Sequence, residues 1–163
     1  MALPRTDPRP GGLRALLLPD HNDRLELMID EVMLHWEDTG GAGPSTVWRR
    51  FREELERHLE VEERWLLPHF AKAHPVEAQQ CGALHAQLRA LAARAEPELQ
   101  LHARHVPTVL ELQRVLRAHA RRADALLYPW AVEALDAGTW REVRTQMRKL
   151  LFDAPTHNHE DQP

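Results

Sequence analysis

Apolar side chains recur at spacings of three and four residues along most of the chain, which is the periodicity of amphipathic α-helices. The first stripe follows Pro19 and Asp20, two residue types that suit the first turn of a helix. Its members are Leu25, Met28, Ile29, Val32, Met33 and Trp36. The glycine-rich run DTGGAGP, which starts at Asp38, interrupts the pattern. We therefore predict a first helix that ends near Asp38.

Three further stripes of the same periodicity predict three more long helices. They begin at Pro44 or Ser45 and near Pro75 and Pro107, and serine and proline are common at helix starts. The pattern leaves two interpretations for the stretch from Pro97 to Pro107: a loop, or a kinked continuation of the third helix. A shorter fifth stripe lies in WREVRTQMRKLLF, with Thr139 just before it as the predicted cap.

These elements predict an all-α fold. Each apolar stripe must find partners, and short links between long helices force neighbours to run antiparallel. We therefore predict an antiparallel, up-down-up-down four-helix bundle with a short C-terminal fifth helix. The bundle domain is expected to span residues 13–153, after a proline-rich flexible arm over 1–12 and before a disordered polar tail over 154–163.

The composition narrows the classes of function. The 163 residues include 21 basic and 25 acidic side chains, which gives a net charge of −4 and no reason to expect a nucleic acid or a membrane surface as partner. No apolar run approaches the roughly 20 residues of a membrane span. The single cysteine excludes an internal disulfide and fits a reducing compartment, so we expect a cytoplasmic protein.

The 11 histidines are more informative, because several of them lie on the apolar stripes. Each of the four main helices turns one imidazole toward the common core: His21, His58, His85 and His119. A lone inward histidine is usually a hydrogen-bonded core residue. Four neutral imidazoles, however, offer only one donor and one acceptor each and cannot easily satisfy one another. A metal centre would resolve this conflict.

Two carboxylates on the same helices are further candidate ligands for this metal centre. Glu62 follows His58 by four residues, about 400° of helical rotation, so the two share a face. Asp124 follows His119 by five residues, which turns it about 140° away on a regular helix. It reaches the same centre only if a widened π turn intervenes, and the four-residue position is Ala123. Histidines and paired carboxylates in a bundle core build di-iron and di-manganese sites, and mixed nitrogen and oxygen ligands suit iron, manganese or zinc.

The order of these residues resembles the hemerythrin-like, HHE cation-binding family over about residues 14–135. The resemblance is carried by His21, by HLEVE at 58–62 followed by LLP, by His85, and by HARRAD at 119–124 followed by LYP. It implies an antiparallel four-helix bundle that holds a pair of non-haem metal ions, commonly iron. The implied terminal ligands are His21, His58, His85 and His119, and the implied bridging ligands are Glu62 and Asp124.

One position departs from the oxygen-binding members of that family. Those members carry HxxxH on the third helix, whereas this chain has CGALH, with Cys81 in place of the first histidine. A buried cysteine is more often inert packing than a thiolate ligand, so Cys81 is only a further candidate ligand. The inner ligand set is then one residue smaller than in a full oxygen carrier, which leaves a more open site.

These observations lead us to expect a hemerythrin-like protein with non-haem iron, two ions per chain, and with zinc or manganese as alternatives. It would bind or sense a small ligand such as dioxygen, nitric oxide or peroxide. One alternative is an oxidase- or peroxidase-type enzyme with an open di-metal site. Another is a degenerate bundle that holds a single metal ion or none and acts as an interaction or metal-sensing module.

Overall fold

A computed structural model describes residues 17–38, 45–101 and 107–152 of the chain. Within these ranges the structure is helical and contains no strand, which confirms the predicted all-α class. The elements are α1 (Leu18–Asp38), α2 (Ser45–Val61), π1 (Glu62–Leu66), α3 (Leu67–Ala73), α4 (Pro75–Gln100), α5 (Pro107–Arg122), π2 (Ala123–Leu127), α6 (Tyr128–Ala134) and α7 (Ala137–Phe152). The predicted arm at 1–12 and the predicted tail at 154–163 lie outside the described residues.

Two of the long helices contain a widened π turn. π1 joins α2 to α3 without a break, and π2 joins α5 to α6 in the same way. A proline follows two residues after each π turn, Pro68 in α3 and Pro129 in α6. Proline lacks the N–H for an i−4 hydrogen bond, and its ring clashes with the i−4 carbonyl, so a locally widened turn relieves both conflicts.

The third long helix, α4, settles the first part of the stretch that the sequence left open. α4 runs through Pro97 to Gln100, and the Leu101 N–H still donates to the Pro97 carbonyl at 3.0 Å. Residues 102–106 are not among those described. No helix in the described part of the chain is long and apolar enough to cross a membrane.

The long helices pack in a closed ring, in which α1 contacts α2 and α5 while α4 contacts α5 and α2. α7 packs outside this ring against α1 and α2. Apolar side chains form two separate clusters along the ring. The first cluster contains the apolar side chains of α1 from Leu25 to Trp36 and those that face them from α2, α4 and α5. The second includes Leu18, Val61, Phe70 and the inner face of α7.

Asp136 caps the start of α7. Its Oδ1 accepts the backbone N–H groups of Gly138 and Thr139, both at 2.9 Å, and its Oδ2 accepts the Thr139 hydroxyl at 2.6 Å. The prediction of Thr139 as the cap is therefore wrong. A cap must precede the residues whose N–H groups it accepts, and Thr139 lies three residues inside that turn.

We expect Asp136→Ala to lower the melting temperature at neutral pH, whereas Asp136→Asn should keep most of the cap because asparagine caps as well as aspartate. Hydrogen bonds from the Thr139 hydroxyl and N–H lower the pKa of Asp136. The ionised carboxylate therefore stabilises the fold above its unfolded-state pKa of about 3.9, and this contribution disappears as the pH falls through the lower folded-state pKa.

Thermal melts across this acidic range test the charge contribution directly. The wild type should be more stable than the Asp136→Asn variant at neutral pH, and the difference should vanish on acidification. A difference that stays constant across the whole range would contradict an ionised cap.

Candidate metal centre

A layer of buried polar side chains separates the two apolar clusters. We call it the polar layer; each of its members is at most 1% exposed, and they are His21, His58, Glu62, His85 and His119. The four imidazole rings form a continuous series with centroid separations of 5.0 Å (His21–His58), 5.9 Å (His58–His119) and 5.0 Å (His119–His85). The structure thus brings all four sequence-predicted histidines to one interior level.

Glu62 lies at the centre of the polar layer, at the first position of π1. Its Oε1 accepts the Tyr128 hydroxyl and lies 3.2 Å from His58 Nε2. Its Oε2 lies 2.9 Å from His85 Nε2 and 3.5 Å from His119 Nε2. The two carboxylate oxygens therefore face different histidines.

The surroundings favour the ligand forms of Glu62 and His58, whereas at His85 burial is outweighed by the carboxylates of Glu62 and Glu63, which raise the pKa. Burial alone would raise the pKa of Glu62, but the neighbouring His119 and His58 hold it well below its usual range, so the carboxylate is ionised. Burial lowers the pKa of His58 to about 4, so at neutral pH its imidazole is uncharged. A carboxylate beside a neutral imidazole is the combination that binds a metal ion.

Three of these side chains fit a cation together. The ligand atoms of His58, Glu62 and His119 all lie within 4.8 Å of one another, the one such buried group among the residues that the structure describes. His119 Nε2 is buried and makes no hydrogen bond, although Glu62 Oε2 lies 3.5 Å away. Leaving such a nitrogen unsatisfied costs on the order of 1–3 kcal/mol, a cost that a coordinated metal ion would remove. The donor set of nitrogen and oxygen atoms suits iron, manganese or zinc.

His21 occupies the edge of the polar layer and touches a carboxylate that the sequence analysis missed. A hydrogen bond of 2.9 Å joins its Nδ1 to His58 Nδ1, and its Nε2 lies 3.4 Å from Glu54 Oε2. Burial would raise the pKa of Glu54, but the neighbouring His21 and Arg24 outweigh it and lower that pKa to about 2. Arg24 donates to Glu54 at 2.7 Å and also to the Leu151 carbonyl of α7 at 3.0 Å.

His85 has a corresponding carboxylate on its other side. Its Nδ1 lies 3.0 Å from Glu63 Oε1, and Arg89 donates to both Glu63 and Glu56 at 2.6–3.0 Å. A carboxylate on the outer ring nitrogen fixes the orientation of a ligating histidine. Glu63 directly follows Glu62 in sequence, but its role depends on the position of α4, which no local pattern predicts.

Tyr128 is the buried polar neighbour of Glu62 that the sequence analysis overlooked most completely. It is fully buried, and its hydroxyl donates to Glu62 Oε1, lies 3.4 Å from His58 Nε2 and accepts a hydrogen bond from Asn22 Nδ2 at 3.0 Å. Burial and the Glu62 charge hold the pKa of Tyr128 well above its usual range. The available signal was that this is the chain's only tyrosine and lies inside the LYP motif.

The structure does not bring Asp124 into the polar layer. A π turn is present, as the Asp124 hypothesis required, but π2 spans Ala123–Leu127, so the helix is still regular from His119 to Arg122 and widens only from Ala123 onward. Ala123, at 1% exposure, fills the inward position, and the Asp124 side chain is exposed. The role of Asp124 as a ligand remains a prediction.

Cys81 is buried one helical turn before His85 on α4. Burial, followed by the charge of Glu62, raises the pKa of the Cys81 thiol. These surroundings favour the protonated thiol over the thiolate that binds metal ions. Its role as a ligand also remains a prediction.

Comparison with known proteins gives one match. The model of the hemerythrin HHE cation binding domain matches residues 16–131, a range that holds the whole polar layer and ends before α7. No curated protein and no solved structure matches the chain.

Proposed function

Because the chain belongs to the hemerythrin HHE cation-binding domain family, we propose that its polar layer binds two non-haem iron ions and that Glu62 bridges them. Family membership implies non-haem metal binding, and the cluster of histidines around Glu62 fits such a site. One observation above all supports two ions: the two oxygens of the Glu62 carboxylate face different histidines. Oε1 lies beside His58, and Oε2 lies beside His85 and His119.

The residues that would hold the metal are His58, Glu62, His85 and His119, with His21 joined to His58 at the edge of the layer. When bound, an iron pair would supply a redox-active Lewis acid that can bind a small molecule. The chain itself excludes bulk water through the apolar clusters on both sides of the layer. Glu63 and Glu54 orient the outer nitrogens of His85 and His21.

We propose that the physiological ligand is small: dioxygen, nitric oxide or peroxide. A ligand set smaller than that of a full oxygen carrier supports this proposal, since it would leave a coordination position open. We also propose that the four main helices run in an antiparallel, up-down-up-down order, which the ring of contacts among α1, α2, α4 and α5 supports. The single cysteine fits a reducing compartment, and we propose the cytoplasm as the location.

Metal analysis of protein expressed with added iron tests the proposal. We expect close to two iron ions per chain, and a coloured oxidised protein. His58→Ala should lose most of this iron, whereas His69→Ala, which removes an exposed histidine of α3, should retain it. The histidines of HNHE at 157–160 are replaced by alanine in all samples to exclude metal bound by that segment.

The number of metal ions per chain distinguishes the two-ion proposal from its alternatives. One ion per chain would favour the single-metal hypothesis, for which the three-residue group of His58, Glu62 and His119 would suffice. Protein that takes up no iron, zinc or manganese would contradict metal binding by the polar layer.

A further inference from the structure

Helix α5 brings His119 to Glu62, and the continuation of this helix brings a phenol, the Tyr128 side chain. Asp124, the carboxylate expected in this region, is exposed, and the inward position beside it is Ala123. Tyr128 begins α6, directly after π2. A π turn contains one residue more than a regular turn and so rotates the following residues, which places Tyr128 on the side of the helix that faces the polar layer.

The hydroxyl of Tyr128 is the acceptor in one hydrogen bond and the donor in another. Asn22 Nδ2 donates to it at 3.0 Å, so its single proton is left for Glu62 Oε1. Asn22 is itself buried, one residue after His21 on α1. A chain of hydrogen bonds thus runs from α1 through the tyrosine to the central carboxylate.

We propose that Tyr128 is a positioning residue for the metal centre: its hydroxyl, oriented by Asn22, fixes the Glu62 carboxylate so that its two oxygens face different histidines. This inference rests on the proposed function, because it assigns to Tyr128 the orientation of the bridging ligand. Without the hydroxyl, Oε1 would keep only His58 Nε2 at 3.2 Å, and the carboxylate could rotate toward His85 and His119.

Tyr128→Phe tests the proposal, because it removes the hydroxyl and keeps the ring that packs in the second apolar cluster. Cobalt(II) is the probe: its affinity is measured by chelator competition and its ligand field by visible absorption. We expect Tyr128→Phe to bind cobalt about 10–100-fold more weakly than the wild type, the range typical of a partner that orients a ligand. We also expect an altered absorption spectrum, since the ligand oxygens change position.

Thr108→Val is the matched control. Thr108 is also buried, and its hydroxyl also donates to a glutamate, Glu98, but at the opposite end of α5 from π2. This variant should lose stability without a change in cobalt affinity or spectrum. Asn22→Ala is the second test variant, because it keeps the tyrosine and removes the donor that orients it. It should weaken cobalt binding in the same direction, by less than Tyr128→Phe.

Three results would overturn the proposal. Wild-type affinity and spectrum in Tyr128→Phe would show that the hydroxyl does not position Glu62, and if that variant does not fold, an unchanged Asn22→Ala would show the same. A phenolate-to-iron(III) absorption band that the wild type has and Tyr128→Phe lacks would make Tyr128 a direct ligand instead. A wild type that binds neither cobalt nor iron would overturn the proposed function as well, whereas the first two results leave it standing.

Discussion

Glu62→Ala should abolish stable metal binding. Among the described residues, Glu62 is the one carboxylate in contact with His58, His85 and His119 at once. Under the proposed function, its removal therefore leaves both sides of the centre without their shared oxygen ligand. Loss of a residue that only orients a ligand lowers metal affinity by about 10–100-fold, and we expect loss of this ligand to exceed that range. Iron content after gel filtration and cobalt affinity by chelator competition would measure the effect.

The control for this variant is Glu60→Ala, which removes an exposed carboxylate of the same helix, two residues earlier. It should retain the iron content of the wild type. Circular dichroism would establish that both variants remain helical. If folded Glu62→Ala kept two iron ions per chain, the bridging role of Glu62 would be wrong.

Removal of the metal should lower the thermal stability of the wild type substantially. A ligand that binds only the folded state, at a free concentration of 1,000 times its dissociation constant, stabilises that state by about 4 kcal/mol. For a protein of this length such a change corresponds to a shift in melting temperature of roughly 8–16 °C. Differential scanning calorimetry of iron-loaded and chelator-treated protein would measure it.

The Glu62→Ala variant provides the reference for this experiment. Its melting temperature should be the same with and without added metal, because it lacks the site. A wild type whose melting temperature is also insensitive to metal and chelator would indicate that the polar layer is purely structural, as the degenerate-bundle alternative predicts.

Most of the helices and the composition of the polar layer could be predicted from the sequence. Each depends on a local pattern: apolar periodicity defines the helices, and the position of His21, His58, His85 and His119 on the apolar stripes places their rings in the core. Glu62 follows from the same argument, because a spacing of four residues keeps it on the face of His58. These inferences need no knowledge of how one helix sits against another.

The remaining contacts could not be predicted, because they join residues far apart in sequence. Tyr128 meets Glu62 across 66 positions and Asn22 across 106. The exposure of Asp124 depends on where the π turn begins, and a shift of that turn by a few residues would change which side chain faces the centre. Local periodicity defines the face of a regular helix but gives no information about the exact start of a widened turn.

The separation of the two apolar clusters by the polar layer has a consequence for how the effects of core substitutions on folding stability combine. Among the described residues, the core side chains on the two sides of the layer form separate clusters, so their contributions to folding should sum nearly independently, as those of distant sites do. The imidazoles and Glu62 join the two halves. Energetic coupling between opposite ends of the bundle therefore passes along the helices themselves and through the same few side chains that would hold the ions.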